Sequence, residues 1–302
     1  MAVTIDSALK RDIILSSALK ALRARLLPLG LFSTVFANET MEGTNKVVVP
    51  YFPLDTSTAK DFTYTGAEKG YQFDDTYNQD KREVTVNKRK YVPLSITSAD
   101  IARQPQLSLE QIGEAKGYAL ADQVIKDILS PVTAANFGAP VFTGPSGNFD
   151  FAAVNEEVGV ACDEANWPDT QRGIATKSAY YRNVVTDLSD ASRYSSDNPV
   201  KRGMLEDVAG FDLAKNNSIP DNGENLVGFA CFPSALLVAF APIPPAKEGS
   251  VDYDTSVDEE TGLVIEFREW FDEDDDILKT VLEVNYGYAV GEAEALKRIV
   301  SQ

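Results

Sequence analysis

The first hundred residues contain an isolated amphipathic helix followed by a long β-rich stretch, and neither can bury itself. Four leucines recur at helical spacing: Leu15, Leu19, Leu22 and Leu26. The pattern stops at Pro28, which a helix does not tolerate in its interior. A helix with a single apolar stripe must cover it, so we expect a partner surface for this one.

The β-rich stretch runs from residue 46 to about residue 100. Residues 47–52 (VVVPYF) and 82–97 read as extended runs, and a shorter one is indicated around Phe62 and Tyr64. The polar segments between them contain few large aliphatic side chains. A two-stranded excursion so poor in core residues is only marginally stable alone. We therefore expect this stretch to need a neighbour as well.

The rest of the chain mixes helices and strands, which predicts an α+β fold. The clearest helix covers residues 108–130, where Ser108 and Gln111 form a capping box. Gly113 and Gly117 either weaken this helix slightly or permit close packing. Further helices are predicted at residues 150–167, 180–188 and 234–241, and strands at residues 173–176, 208–213, 226–232, 263–271, 277–288 and 295–300.

The chain is acidic, and its charge is unevenly distributed. It has 28 basic and 46 acidic residues, a net charge of −18. Residues 1–104 hold 14 basic and 12 acidic residues, so nearly all the excess negative charge lies in residues 105–302. Such a protein is repelled by phosphate backbones as a whole, which argues against a general nucleic-acid binder.

Several classes of active site are excluded by composition. The chain has no histidine, so it lacks Ser-His-Asp and Cys-His pairs, histidine-ligated zinc and any histidine general base. Cys162 and Cys231 both lie in apolar surroundings and are expected to be buried. No nucleotide-binding glycine motif occurs. We expect neither a cofactor nor a catalytic site.

No targeting or membrane segment is expected either. The N-terminus lacks the pattern of a secretory signal. The most apolar stretch, residues 228–245, contains four prolines that would break a membrane-spanning helix.

An acidic turn at residues 272–276 (DEDDD) is the sharpest local feature. Asp272, Asp274, Asp276 and Glu283 match four ligand positions of a calcium loop, but Ile277 stands where that loop needs glycine. The flanks are also predicted strands, whereas calcium loops lie between helices. A solvated hairpin tip is therefore the better interpretation. The alternative is a monomeric acidic protein that binds calcium or hydrolyses a substrate with carboxylates alone.

The order of these elements resembles that of the major capsid proteins of tailed bacteriophages, which share the HK97-like fold. The most telling segment is residues 208–220 (VAGFDLAKNNSIP), followed by the apolar residues 226–241. Residues 173–185 resemble the strand and helix that open the family's A-domain. The predicted hairpin at residues 263–288 takes the place of the P-domain hairpin, and residues 287–293 (GYAVGEA) resemble the closing segment.

The resemblance implies a division of the chain and a structural role. The implied segments are an N-terminal arm (1–45), an E-loop-like β excursion (46–104), the spine helix with part of the P-domain (105–170), the A-domain (171–261), the P-domain hairpin with its acidic tip (262–286) and a closing A-domain segment (287–302). Such a subunit is expected to assemble as hexamers and pentamers into an icosahedral capsid around double-stranded DNA, with portal, scaffolding or decoration proteins as partners. It assembles in the host cytoplasm and resides in the virion. An encapsulin-like compartment is the alternative within this fold.

Two sets of charged residues are candidate contact sites. Five cations lie on the β excursion: Lys81, Arg82, Lys88, Arg89 and Lys90. Because the body is acidic, we interpret them as intersubunit partners for the tip formed by Asp272, Glu273, Asp274, Asp275 and Asp276, in preference to a DNA contact. The second set lies on the N-terminal helix and is expected to face the capsid lumen: Lys10, Arg11, Lys20, Arg23 and Arg25.

Overall fold

The computed structural model describes residues 7–26, 30–36, 46–50, 62, 64, 81–97, 109–189, 204–245, 251–257, 263–274 and 277–302. Within these ranges the chain forms two six-stranded sheets, a two-stranded ribbon and two 20-residue helices.

The helices follow the predicted periodicity closely. They are α1 (Ser7–Leu26), α2 (Leu109–Ile128), α3 (Ala134–Phe137), α4 (Val160–Glu164) and α5 (Ser178–Ser189). A π-helical segment, Ala153–Gly159, precedes α4, and 3-10 turns cover Ser146–Asn148, Pro233–Ala235 and Ala293–Ala295.

The strands are, in chain order, β1 (Ser33–Phe36), β2 (Lys46–Pro50), β3 (Lys81–Thr85), β4 (Lys88–Thr97), β5 (Pro140–Thr143), β6 (Gly173–Thr176), β7 (Met204–Val208), β8 (Phe211–Lys215), β9 (Leu226–Cys231), β10 (Leu236–Phe240), β11 (Asp252–Val257), β12 (Val264–Asp272), β13 (Ile277–Val290) and β14 (Leu296–Val300).

The apolar stripe of α1 is buried within the same chain, against α2. Gly113 and Gly117 of α2 lie so close to α1 that a side-chain carbon at Gly117 would stand 2.5 Å from the carbonyl oxygen of Ala18. Of the two interpretations of these glycines, close packing is the one that is confirmed. The expected partner surface is therefore α2 and not another molecule.

The first sheet is built around the 14-residue strand β13. Its strand order is β1-β10-β13-β12-β11, and β4 also pairs with β13. The first part of β13 pairs with both β12 and β4, and its last residues pair with β10. One face of this sheet contributes Phe267, Leu282 and Val284 to the core that also contains Leu15 and Leu22 of α1.

The ribbon of β2 and β3 forms the root of the predicted β excursion. Its buried valines, including Val47 and Val84, pack against Leu237 and Ala239 of β10. The backbone of Thr85 passes so close to Gly287 that a side-chain carbon at this glycine would lie 2.1 Å from the Thr85 carbonyl oxygen. The neighbour that the excursion was expected to need is thus supplied, at its root, by the first sheet of the same chain.

The second sheet has the order β5-β14-β9-β6-β8-β7. Every residue of β6 and β9 is buried. Phe229 and Ile299 lie in its core, and Tyr180 and Val184 of α5 belong to the same apolar cluster.

Three sequence predictions were wrong in detail. The apolar run 234–241 was predicted as a helix but forms a 3-10 turn followed by strand β10, because a short apolar run does not distinguish a buried strand from a helix. The strand predicted at 208–213 is a hairpin that turns at Ala209 and Gly210, both with positive φ. The helix predicted to begin near Asp150 contains the π-helical segment, although Asp150 does accept the amide of Ala153 at its start.

Candidate subunit-interaction surfaces

The five cations of the β excursion are distributed over two strands and two faces. Lys81 and Arg82 lie on β3, opposite Pro50 and Val49 of β2. The remaining three begin β4, and each stands opposite a residue of β13: Lys88 opposite Tyr286, Arg89 opposite Asn285 and Lys90 opposite Val284. Because side chains alternate along a strand, Arg89 points to the face opposite that of Lys88 and Lys90. The run therefore does not form a single patch.

Lys88 ties the start of β4 to the end of α2. Its Nζ donates to Asp127 Oδ1 at 3.2 Å and to the Tyr288 hydroxyl at 2.8 Å, and it lies 4.4 Å from the centre of the Tyr288 ring. Burial lowers the pKa of Lys88, but these two hydrogen bonds together outweigh burial, so the pKa is raised above its usual value. The Tyr286 hydroxyl donates to the other oxygen of Asp127 at 2.7 Å. Lys88 thus has a structural role inside the subunit.

Arg89 belongs to a buried charge network that sequence reasoning missed. Its Nε and Nη2 donate to Glu283 Oε2 at 2.8 and 2.5 Å. Arg268 donates to the other oxygen of Glu283. Glu283 stands directly opposite Glu266 in the pairing of β12 with β13, and each is only 1% exposed. Two carboxylates are therefore buried side by side, with two guanidinium groups next to them.

Glu266 accepts hydrogen bonds from four groups. They are the amide of Ile243 at 3.1 Å, the Tyr253 hydroxyl at 3.1 Å, the Arg268 guanidinium at 3.4 Å and the Asn285 side-chain amide. Burial raises the pKa of Glu266, and the neighbouring Glu283 raises it further, against the opposing effect of the hydrogen bonds. The sequence does contain one signal of this network. Glu266 and Arg268 are charged residues at alternate positions of a strand that is otherwise largely apolar. Only the register of β12 with β13 shows that they meet Glu283.

The acidic tip lies at the far end of the same strand pair. Asp272 ends β12 opposite Ile277 and accepts a hydrogen bond from Lys279 of β13. Asp272 Oδ1 also accepts the amide of Asp274 at 3.2 Å, which shapes the turn. Glu273 and Asp274 are exposed, and Asp275 and Asp276 lie outside the described residues.

Lys88, Arg89 and Lys90 lie at the end of β4 that is far from the acidic tip. Lys88 pairs with Tyr286, whereas Thr97 at the other end of β4 pairs with Ile277 beside the tip. At about 3.3 Å per residue, Lys88 and the tip are roughly 30 Å apart along the sheet. A contact between these three cations and the tip therefore has to join different copies of the chain. The side chains of Lys81 and Arg82 fall outside what the structure describes.

The calcium-loop alternative does not fit the geometry. Glu283 would have to supply the last ligand, yet its carboxylate lies inside the sheet and is held by Arg89 and Arg268. Asp272, which would supply the first, is paired with Lys279. No cluster of three or more potential ligands occurs in the part of the chain that the structure describes.

The basic residues of the N-terminal helix lie on α1. Lys20 is exposed, on the side away from the α2 contact made by Ala18 and Leu22. Lys10, Arg11, Arg23 and Arg25 also belong to this helix, but their side chains fall outside what the structure describes.

Among the described residues, four exposed large apolar side chains lie on strands of the first sheet. Tyr91 is 61% exposed, Trp270 40% and Phe271 54%, and Val257 on β11 is exposed too. Trp270 and Phe271 directly precede the acidic tip. Because side chains alternate along a strand, Trp270 and Phe271 point to opposite faces of the sheet. Each face therefore carries exposed apolar side chains of the kind found at protein contact sites.

The two cysteines lie in the core, as predicted. Burial raises the pKa of the Cys162 thiol to about 12, and it raises that of Cys231 as well. Both thiols are buried and reduced, so they are poor nucleophiles.

No helix in the described part of the chain is both long and apolar enough to cross a membrane. No family model matches the sequence, and no curated protein matches it.

The fold, by contrast, matches solved structures. The capsid structure of the cyanophage P-SCSP1u aligns with a TM-score of 0.55 at 12% identity, over 90% of this chain and 86% of that one. A virus-like particle from Pyrococcus furiosus aligns with a TM-score of 0.53 at 10% identity, over 95% and 98% of the two chains. The structure from Mycobacterium phage Che8 aligns with a TM-score of 0.51 at 16% identity, over 84% of each. The predicted α+β, HK97-like capsid fold is therefore confirmed.

Proposed function

We propose that this protein is the major capsid protein of a tailed bacteriophage, a structural subunit that self-assembles into an icosahedral shell. The observation that carries the proposal is the likeness to phage capsid structures over most of both chains. The apolar side chains that the first sheet leaves exposed support it, because a shell subunit needs such surfaces for its neighbours. The role is structural and needs no catalytic residue.

In this proposal the subunits form hexamers and pentamers around double-stranded DNA. Portal, scaffolding and decoration proteins are further proposed partners, with assembly in the host cytoplasm and residence in the virion. An encapsulin-like compartment is the less favoured alternative, since the structural neighbours are chiefly phages.

Electron microscopy of the purified protein, paired with size-exclusion chromatography, tests this proposal. We expect closed particles tens of nanometres wide, or rings of five and six subunits. A uniform monomer of 32.9 kDa under all assembly conditions would contradict it. Packaged nucleic acid favours the capsid, and an enclosed enzyme favours the compartment.

The segment boundaries implied by the resemblance are retained as part of the proposal. The arm (1–45) contains α1 and β1, the E-loop-like excursion (46–104) contains β2 to β4, and the spine helix is α2. The proposed A-domain (171–261) holds four strands of the second sheet: β6, β7, β8 and β9. Two further strands of this segment, β10 and β11, belong to the first sheet, where β10 pairs with β13 and β11 pairs with β12.

We further propose that the acidic tip contacts cations on the excursion of an adjacent subunit. Glu273 and Asp274 are the best positions for a test, because both are exposed and the fold does not depend on their side chains. Reversing both to lysine should impair assembly. The matched control reverses Glu156 and Glu157, an equally exposed acidic pair on the π-helical segment.

Rescue of the tip variant by a chain carrying Lys81→Glu and Arg82→Glu would identify the partner cations. Reversing Lys88 or Arg89 is less informative, because each already holds a carboxylate inside its own subunit. Normal particles from the tip variant would rule the contact out.

The basic residues of α1 are proposed to line the lumen. Residues 1–27 hold five basic and two acidic residues, a positive segment in an acidic protein. A cryo-electron microscopy map of the particle decides the point. Finding α1 on the outer surface would refute it.

A further inference from the structure

A proline-rich strap crosses the charged face of the first sheet. It consists of residues 241–245 (APIPP), which follow β10. Proline has no backbone N–H, so Ile243 supplies the only amide proton between residues 242 and 245. That proton goes to Glu266 Oε1 at 3.1 Å, while the Ile243 carbonyl accepts a hydrogen bond from Arg268 Nη2 at 2.5 Å. Ala241 is anchored more conventionally, through its amide to the carbonyl of Asn285 at 3.2 Å.

The strap is therefore held by one carboxylate and one guanidinium instead of by a strand ladder. Within the described part of the chain, the charged, titratable and hydrogen-bonding groups that face Glu266 come from four elements and the strap. Glu283 and Asn285 come from β13, Arg268 from β12, Tyr253 from β11 and Ile243 from the strap, while Arg89 of β4 reaches the cluster through Glu283. The cluster is tightly packed but imperfect, since Asn285 Oδ1 is buried and has no hydrogen-bond partner in the described structure.

We propose that the strap is a pH-sensitive clasp: a proton on Glu266 tightens its hold on the sheet, and ionisation of Glu266 loosens it. When both carboxylates are ionised, two like charges face each other in a water-excluded site. A proton on Glu266 removes that repulsion. Its Oε2–H can then donate to the Tyr253 oxygen, while Oε1 keeps the bonds from Ile243 and Asn285.

The direction of the proposed pH effect, a strap that is more stable when Glu266 is protonated, follows from the environment of Glu266. Burial is the largest influence on the pKa of this carboxyl and raises it, whereas the hydrogen bond from Ile243 lowers it. Ile243 lies directly against the carboxyl, so closure of the strap is inferred to add to that burial. A group whose pKa is raised in the closed form binds its proton more tightly there. The closed form is therefore most stable below the ordinary pKa of a glutamate, and it loses that advantage as pH rises through the raised value. Opening uncovers the carboxylate pair and frees the connection between β10 and β11.

Hydrogen exchange at the Ile243 amide, measured by NMR on the full chain between pH 4.5 and 8, tests the clasp. After correction for the intrinsic pH dependence of exchange, we expect protection to fall as pH rises. The fall is about tenfold for each unit by which closure raises the pKa. The amide of Phe232, which follows β9 of the second sheet and is bonded to the Ala295 carbonyl at 2.9 Å, is the internal reference and should not follow this curve.

Two variants make the result specific. Glu266→Gln should remove the pH dependence, whereas Glu156→Gln, which deletes an exposed carboxylate, should leave it as in the unmodified protein. Tyr253→Phe removes a hydrogen bond that lowers the pKa of Glu266, so it should move the transition to higher pH even if Glu266→Gln folds poorly. Protection of Ile243 that is independent of pH, or a curve that Tyr253→Phe leaves in place, would overturn the proposal. The proposed shell function is tested separately, by assembly, and does not depend on this result.

Discussion

The two sheets of this protein differ in which side chains they bury and which they expose. In the second sheet, β6 and β9 are buried throughout, and the buried guanidiniums of Arg172 and Arg298 bind backbone carbonyls as well as carboxylates. In the first sheet, two glutamates are buried face to face, while Tyr91, Trp270 and Phe271 remain exposed. Among the described residues, the strands of the second sheet expose no large apolar side chain. The first sheet buries charge and exposes apolar side chains, and under the proposed function neighbouring subunits would cover them.

Truncating the buried carboxylate of the first sheet should have the largest effect. Glu283→Ala leaves Arg268 without its main partner in a buried site, which typically costs about 3–5 kcal/mol of unfolding free energy. Urea denaturation of the unassembled chain measures it. Glu273→Ala at the exposed tip is the matched control and should change stability by less than about 0.5 kcal/mol. Equal effects of the two changes would mean that the network does not stabilise the first sheet.

The second-largest effect is expected at Gly287, where the ribbon of β2 and β3 contacts the first sheet. In Gly287→Ala the new carbon would stand 2.1 Å from the Thr85 carbonyl oxygen, and a backbone atom can move only with its whole strand. Forcing such a contact costs about 1–3 kcal/mol. Gly147→Ala is the control, because nothing lies within 4 Å of the added carbon. The midpoint of thermal unfolding compares the two, and an unchanged midpoint for Gly287→Ala would show that the ribbon does not rest on β13.

Exposed aromatic residues should separate stability from assembly. Trp270→Ala removes a 40% exposed side chain, so the isolated subunit should lose less than about 1 kcal/mol. Particle yield should nevertheless fall, because this surface is proposed to face a neighbour. Val160→Ala removes a similarly exposed apolar side chain from α4, outside the first sheet, and should leave yield unchanged. Normal yield from the Trp270 variant would remove the functional distinction between the two sheets.

The smallest effect is expected at Lys88, at alkaline pH. Its pKa is raised in the folded chain, so its stabilising contribution is complete below the ordinary lysine pKa of 10.5 and is lost as pH rises through the raised value. The difference in unfolding free energy between the unmodified chain and Lys88→Met should therefore shrink above that pH. Chemical denaturation at pH 9 and at pH 11 measures this difference. A difference that is the same at both values would show that the charge on Lys88 contributes nothing.

The sequence was most informative where a pattern is local. The helix α5 and the strands β6, β9, β12, β13 and β14 were all predicted to within about two residues, because each carries its own periodicity and its own end signals. The prediction failed at residues 234–241, where an apolar run has no periodicity and only its place beside β13 makes it a strand.

The charged residues show the same limit. The run of cations at residues 88–90 reads as one cluster in the sequence, but strand alternation and the pairing with β13 send Arg89 to Glu283 and Lys88 to Asp127. Glu266 and Glu283 are 17 positions apart, with a turn between them, and only the register of the hairpin brings them together. The register between distant strands is set by the folded sheet as a whole, so a short sequence motif does not predict it.

The pairing of β4 with β13 also has a mechanical meaning. Ten consecutive residue pairs join the returning strand of the excursion to the longest strand of the first sheet. The hydrogen bonds of an antiparallel pair lie across the strands, so a pull along β4 loads all of them together in shear instead of opening them one at a time. If the chain assembles as proposed, a neighbour that pulls on the excursion loads the whole first sheet, and β4 is the strand that would transmit tension from one subunit to the next.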